Sequence, residues 1–322
     1  MSKGSSKCSS RINQTWYIIS FILGLSLFAG VLLSTVYYVL SPIQEQAATF
    51  DRDKQMLLAA RVLDFKGRFQ IQEKKDWLPA VFNKKTQLLQ VATEKVSAVS
   101  HSDLELYAER FVRPLLTNTQ GKVVSFEEKN LNATEFFEKY QEHPACEQSL
   151  LPFYVILENT PRTQNMSGSD IVKDLSVVEA LIFPISGFGL WGPIHGYLGI
   201  KNDGDTVLGT AWYQQAETPG LGANITNPEW QEQFYGKKVF LQDSSGTTDF
   251  ATTNLGLEVI KGSVSTTFAD SRKALSAIDG ISGATLTCNG VTEAYVQSLA
   301  CYRQLLIHFS NLNHSKKQPN DK

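Results

Sequence analysis

Sulfur, histidine and any surplus of one charge are scarce in this chain. Four cysteines and five histidines in 322 residues form no C-x-x-C pair and no Cys/His ligand spacing. That argues against a structural zinc site and against an iron–sulfur cluster held by this chain's own thiolates. No G-x-G-x-x-G follows a strand-like run, so there is no dinucleotide fingerprint. Lys and Arg number 30 against 32 Asp and Glu, a formal net charge of −2. Nucleic acid is therefore not an expected partner, because no basic stripe exists to meet it. There is also no internal repeat and no long low-complexity stretch. The one charge cluster, "KKQPNDK", closes the chain and reads as a solvated tail over 311–322.

Long apolar runs are missing too, with one exception. Trp16 to Leu40, "WYIISFILGLSLFAGVLLSTVYYVL", is uncharged and, at about 25 residues, long enough to cross a bilayer as a helix. Trp16 and Tyr17 at one end, and Tyr37 and Tyr38 at the other, match interfacial aromatic belts. Gly24, Ser26, Ala29, Gly30 and Ser34 would let another helix pack closely. Lys3, Lys7 and Arg11 precede the run without an acidic residue, whereas Glu45, Asp51, Arg52 and Asp53 follow it. The positive-inside rule then predicts a cytoplasmic segment over 1–15, a transmembrane helix over 16–40 and an exported remainder. The alternative, a cleaved signal peptide, calls for a shorter apolar core and a firmer small-x-small site than "QAAT".

The expected exported part is α+β. Over 41–182 we read a helical and mixed region. "DRDKQMLLAARVLDF", "TQLLQVATEKVSAV" and "SDLELYAERFVRPLL" repeat apolar residues at helical spacing, and "KVVSF" and "PFYVILEN" are strand-like. The polar stretch Asn159–Asp170 is a loop and a candidate boundary or insertion. From 183 to 310 the pattern turns strand-rich. "EALIFPI" is a buried strand, and "GYLGIKNDGDTVLGTAWYQQ" is a hairpin turning at Asn202, Asp203 and Gly204. "NPEWQEQFYG" is a short helix capped by Asn227 with Pro228 first. "KKVFL" and "GLEVI" are further strands. A last helix, about Asn289 to Ser310, carries Val291, Ala294, Tyr295, Ser298, Leu299, Tyr302 and Leu306 on one face. Cys146, Cys288 and Cys301 leave pairing open: a Cys288–Cys301 or a Cys146 disulfide suits an oxidising compartment, and buried free thiols are the simpler expectation.

Three short motifs carry the chemistry. "DGISGATLTCNG", Asp279–Gly290, is a glycine turn running into the last helix. Its Ser282, Thr285 and Thr287 hydroxyls and the backbone N–H groups of a helix start suit a phosphate, and an ordinary N-cap is the plainer alternative. "AETPGLG", Ala216–Gly222, fits a type II turn over Thr218–Leu221 that leaves room for a flat ligand. "GFGLWGPIHGY" sets Trp191 among glycines, either as a wall for an aromatic ring or, more simply, as a core residue. No His or Lys stands near these hydroxyls, so no catalytic residues and no metal site are assigned.

In this order behind one N-terminal anchor, "GLWGPIHGYLGI", "ETPGLG" and "DGISGATLTCNGV" resemble the C subunit of the sodium-translocating NADH:quinone reductase family. The G subunit of the ferredoxin:NAD reductase pump is the related alternative, and a non-redox anchored scaffold is the alternative of another class. The resemblance implies an FMN-binding domain over 183–310 and an electron-carrying subunit of an inner-membrane respiratory complex. It implies that the threonine closing Ser-Gly-Ala-Thr, here Thr285, holds FMN through a phosphodiester bond made from FAD by a separate flavin transferase. Asp279, Ser282 and Thr285 would be recognised by that transferase. Ser282, Gly283 and Ala284 would line the attachment, and Glu217, Thr218, Gly220, Leu221 and Gly222 would lie along the flavin ring, with Leu190 and Trp191 nearby. The Gly-Pro pair in "GLWGPIHGY" departs from the expected pattern, so His195 is taken as structural.

Overall fold

A computed structural model describes residues 15–74, 76–142, 149–243, 248–269 and 271–317. Cys8, Cys146, nearly all of the segment expected to be cytoplasmic and the last residues of the tail lie outside these. The chain divides into two compact units, 1–50 and 51–322.

In the first unit the apolar run forms most of helix α1 (Thr15–Ala59). The stretch long and apolar enough to cross a membrane is Trp16–Gln44, a little beyond the expected end at Leu40. Its large side chains are exposed all round. Ser20, Ser26 and Thr35 donate back to the carbonyls of Tyr17, Leu23 and Val31 at 2.8–3.1 Å. Those hydroxyls therefore need no water, as an apolar solvent requires.

The second unit begins in the last turns of α1, where Met56, Leu57 and Ala59 are buried. Three strands, β1 (Gln70–Glu73), β2 (Asp76–Asn83) and β3 (Leu88–Val91), make a small antiparallel sheet. The structure replaces the helix expected over "TQLLQVATEKVSAV" with this strand β3. Its short apolar run suits either period, and pairing Leu89 with Phe82 buries both, with Phe69, Phe82 and Tyr107 forming an aromatic cluster. Helix α2 (His101–Phe111) follows, capped by Ser100. "VRPLL" is not its continuation but strand β4 (Val112–Asn118), because Pro114 disfavours a helical Arg113 and would take a hydrogen bond out of the helix.

Strand β4 belongs to a six-stranded sheet with β5 (Val123–Ser125), β6 (Leu150–Leu157), β7 (Val178–Phe188), β8 (Pro193–Lys201) and β9 (Val207–Gln214). Their order is β5-β4-β6-β7-β8-β9, every neighbour antiparallel. Short helices α3 (Phe126–Lys129), α4 (Ala133–Glu142) and α5 (Gly168–Lys173) decorate it. The Asn159–Asp170 loop is not a boundary: β6 before it and β7 after it are hydrogen-bonded neighbours. The hairpin at Asn202–Gly204 forms as read, as does helix α6 (Pro228–Glu232), capped by the Asn227 side chain.

"KKVFL" does not form a strand. It makes two isolated bridges, because Asp205 takes its donors: the Val239 N–H meets the Asp205 carbonyl at 2.8 Å and the Phe240 N–H its carboxylate at 3.0 Å. "GLEVI" supplies β10 (Glu258–Ile260), which pairs in parallel with β11 (Ala277–Asp279) across helix α7 (Val264–Thr267). The last helix, α8, runs from Thr285 to Lys317. Residues 311–317 are thus helical rather than tail, since no glycine or proline lies between Gly290 and Pro319. The seven residues expected on its inner face are all buried. Tyr302 meets Phe183 of β7 at 4.6 Å between ring centroids, and each such large buried side chain contributes about 1.5–3 kcal/mol. Helix and strand touch directly at Gly290, where an added Cβ would stand 2.1 Å from the Phe188 carbonyl oxygen. Cys301 is disulfide-bonded whereas Cys288 is a buried free thiol, so these two are not joined to each other.

Candidate functional site

Strand β11 delivers the chain to the start of α8 through one tight turn. The Ala284 N–H donates to the Ile281 carbonyl at 3.1 Å, and Gly283 at φ +77° takes the left-handed third position of a type II turn. Thr285 is the first helical residue. Its side chain is exposed, as is Ser282, and both border a cavity of about 290 Å³ that Lys261 and Gly262 also line. The N–H groups of this first turn are those a helix start leaves without partners inside the helix.

The second motif lies against the first. Leu221 N–H donates to the Thr218 carbonyl at 3.1 Å and Gly220 has φ +77°, which is the expected type II turn. An added Cβ on Gly283 would stand 2.9 Å from Leu221 Cδ2, so the two turns are in contact. The third motif joins them. The Trp191 backbone N–H donates to Glu217 Oε1 at 2.9 Å, and its indole N–H donates to Thr218 Oγ1 at 3.1 Å. Trp191 is 66% exposed, so it is not a core residue. Its backbone is held and its ring stands in the open.

Glu217 and Thr287 depart from expectation. Glu217 is 6% exposed and Thr287 1%, and the Thr287 hydroxyl donates to Glu217 Oε2 at 2.5 Å. Thr287 thus points inward, away from any phosphate at the helix start, and the Glu217 carboxylate is turned away from solvent. Burial pushes the Glu217 carboxyl up, but hydrogen bonds from Thr287 and from the Trp191 and Leu190 N–H groups outweigh it and hold the group below the usual glutamate range. Asp279 is engaged as well. Its carboxylate accepts from the Val264 N–H at 2.7 Å, and its own N–H and carbonyl bond Gln233 and Trp230. Gly222 and Ala284 are buried beneath the turns. Half-buried His195 meets Ser186 through Nδ1 at 3.0 Å, and burial lowers its pKa, as suits a structural residue. Burial likewise raises the Cys288 thiol.

Two apolar residues at the site escape the motif reading. Phe188 and Leu286 are exposed, Leu286 by 61%, alongside Leu190, Trp191 and Leu221. Leu286 falls outside the helical stripe set by Val291, Ala294, Tyr295 and Ser298, and that offset is a signal the sequence carries.

Residues 189–300 match the model of the FMN-binding domain family. Over 317 residues the chain is 85% identical to the C subunit of the Na(+)-translocating NADH-quinone reductase of Chlamydia pneumoniae, covering 98% of this chain and 99% of that one. The chain belongs to this C subunit family. The Vibrio alginolyticus C subunit is 30% identical over 217 residues, 67% of this chain and 76% of the relative. A crystal structure of the Parabacteroides distasonis C subunit aligns at 26% identity, covering 83% of this chain and 96% of that chain with a TM-score of 0.49. The matched segment holds "AETPGLG", "DGISGATLTCNG" and, from Gly189 on, "GLWGPIHGY".

Proposed function

We propose that Thr285 is the covalent attachment point of FMN, through a phosphodiester bond, and that the chain is the electron-relaying C subunit of an inner-membrane Na(+)-translocating NADH:quinone reductase. One observation carries this reading. A solvent-exposed threonine hydroxyl opens helix α8 beside a left-handed glycine turn, among apolar side chains that the fold leaves uncovered. A phosphodiester retains one negative charge, which a helix start stabilises by about 0.3–1 kcal/mol. Leu190, Trp191 and Leu221 offer an apolar surface for an aromatic ring, Thr218 and Gly220 shape its edge, and Ser282, Gly283 and Ala284 border the linkage. When bound, the flavin supplies the electron chemistry, and the protein's task is to hold and orient it.

Thr285 needs no neighbouring base in this scheme, because a separate flavin transferase makes the bond, breaking the pyrophosphate of FAD so that FMN passes to the hydroxyl and AMP leaves; Asp279 and Ser282 serve its recognition. The anchor, its basic N-terminal flank and the disulfide at Cys301 support a single span with the main domain in the periplasm. There a tether keeps the cofactor in place at any free flavin concentration, whereas reversible binding would not. The remaining subunits of the complex and the lipid bilayer are its partners. The test is the mass of the peptide around Thr285 from chain expressed with the transferase. FMN less water added at Thr285 is expected; an unmodified peptide in loaded, yellow protein would place the attachment elsewhere.

A further inference from the structure

The Glu217 carboxylate is placed to do something other than line the flavin ring. It joins three segments far apart in sequence. Oε1 takes the Trp191 N–H, 26 residues upstream, and Oε2 takes the Thr287 hydroxyl, 70 residues downstream. A carboxylate, with two oxygens that only accept, can serve both donors at once. The pocket is also cut to its shape. A Cβ on Gly189 would stand 2.5 Å from Glu217 Oε1, and one on Gly222 2.6 Å from Oε2 and 2.5 Å from Thr287 Oγ1. Both oxygens are engaged and the residue is buried, so no oxygen faces the exposed rim where a ligand would sit.

We propose that Glu217 is a positioning residue: its carboxylate latches the Gly189–Trp191 loop, the Thr218–Gly222 loop and the first turn of α8 into one arrangement, so that Trp191, Leu221 and Thr285 are presented together before any flavin arrives. The consequence for attachment rests on the reading of Thr285 given above. The latch itself rests on the hydrogen bonds alone. Anchoring by a buried group that is satisfied only in one geometry leaves the loops a single arrangement, because any other strands a desolvated charge. An attachment reaction on a pre-set hydroxyl then proceeds without first ordering the turn.

The test uses the full chain, expressed with its flavin transferase. Covalent flavin is followed over time by the fluorescence of the denatured chain. Glu217→Gln keeps the volume but turns one acceptor into a donor, and Thr287→Val removes one donor and keeps the shape. At temperatures where circular dichroism shows the native fold, Glu217→Gln is expected to slow loading at least about tenfold, and Thr287→Val by a smaller factor, in line with the sensitivity of oriented reactions to small displacements. The flavin that Glu217→Gln does acquire is expected to show lower fluorescence anisotropy than in the parent. A variant that melts earlier yet loads at the parental rate with unchanged anisotropy would make Glu217 a purely structural residue and overturn the proposal. So would parental loading in both folded variants. Thr285→Ala is the control that separates the two readings. If that variant still loads flavin, the attachment assignment has failed. The latch is then judged on chain made without the transferase, where Glu217→Gln should lower the fluorescence anisotropy of Trp191, taken as the difference from Trp191→Phe.

Discussion

The motif residues divide into an outer rim and an inner layer, and the two layers are built differently. Thr285, Leu286, Leu190, Trp191 and Leu221 stand in solvent. Directly beneath them Glu217, Thr287, Ala284 and Gly222 are buried and interlocked. Residues two apart in sequence, Thr285 and Thr287, thus fall in opposite layers, because successive helical positions turn by about 100°. Single residues divide likewise: Trp191 presents its ring outward while its backbone N–H is spent inward. The lesson is that a motif is not a site. Some of its letters present a surface, and the rest hold that surface in place.

The sharpest way to break this division is to show that an outer residue carries stability or that an inner one carries none. Thr285→Ala should abolish covalent flavin completely while shifting stability by no more than about 0.5 kcal/mol, as for other exposed positions. In-gel fluorescence of the denatured chain and a denaturant midpoint measure the two effects. Gly290→Ala tests the inner layer. Its Cβ would stand 2.1 Å from the Phe188 carbonyl oxygen, a backbone atom that cannot swing away, so helix α8 must lift from β7. The expected cost is about 3 kcal/mol, at the upper end for overpacking, read as a lower denaturant midpoint with or without flavin. A Gly290→Ala protein as stable as the parent would mean that helix and strand are not in the close contact described.

How much of this is legible in the sequence depends on whether a segment's partners lie close by in the chain. The β8–β9 hairpin, the Asn227 cap and the buried stripe of α8 follow from local turn chemistry and periodicity, and the structure shows each. Segment 70–91 is not legible in this way, because its three strands are short and their apolar residues are covered by Tyr107, on a later helix. No local spacing encodes that. The same holds at the site. The type II turn is readable from Thr-Pro-Gly-Leu, and a glycine turn from Ile-Ser-Gly-Ala. That Glu217 faces Thr287 is not, since the pair is 70 residues apart. Trp191 leaves two readings open in the sequence, a wall for a ring or a core residue, and its exposed ring excludes the second.

A smaller effect sharpens the inner layer by pH. The folded-state pKa of Glu217 is depressed by its donors, below the value of about 4.3 it has when unfolded. A depressed carboxyl contributes stability that is fully present above the unfolded value and lost as pH falls through the folded one. The latch should therefore be intact from neutral pH down to about pH 4 and open only below that. The contribution of Trp191 to fluorescence, obtained by subtracting the Trp191→Phe spectrum, should follow it. Thr287→Val removes one of the groups holding the pKa down, so the same change should begin at higher pH in that variant. An unshifted transition would mean that Thr287 does not stabilise the charge.

The smallest effect is expected at the rim. Trp191→Phe keeps a ring, leaves the backbone N–H on Glu217 and loses one exposed indole bond to Thr218. In solvent that bond is readily exchanged for water, so stability should change by less than about 0.5 kcal/mol. The loaded flavin, however, should respond, because Trp191 is the largest exposed aromatic surface beside Thr218. Its absorption maximum or emission should shift relative to the parent although the denaturant midpoint does not. The converse result, a lower midpoint with an unchanged flavin spectrum, would move Trp191 from the presenting layer to the supporting one.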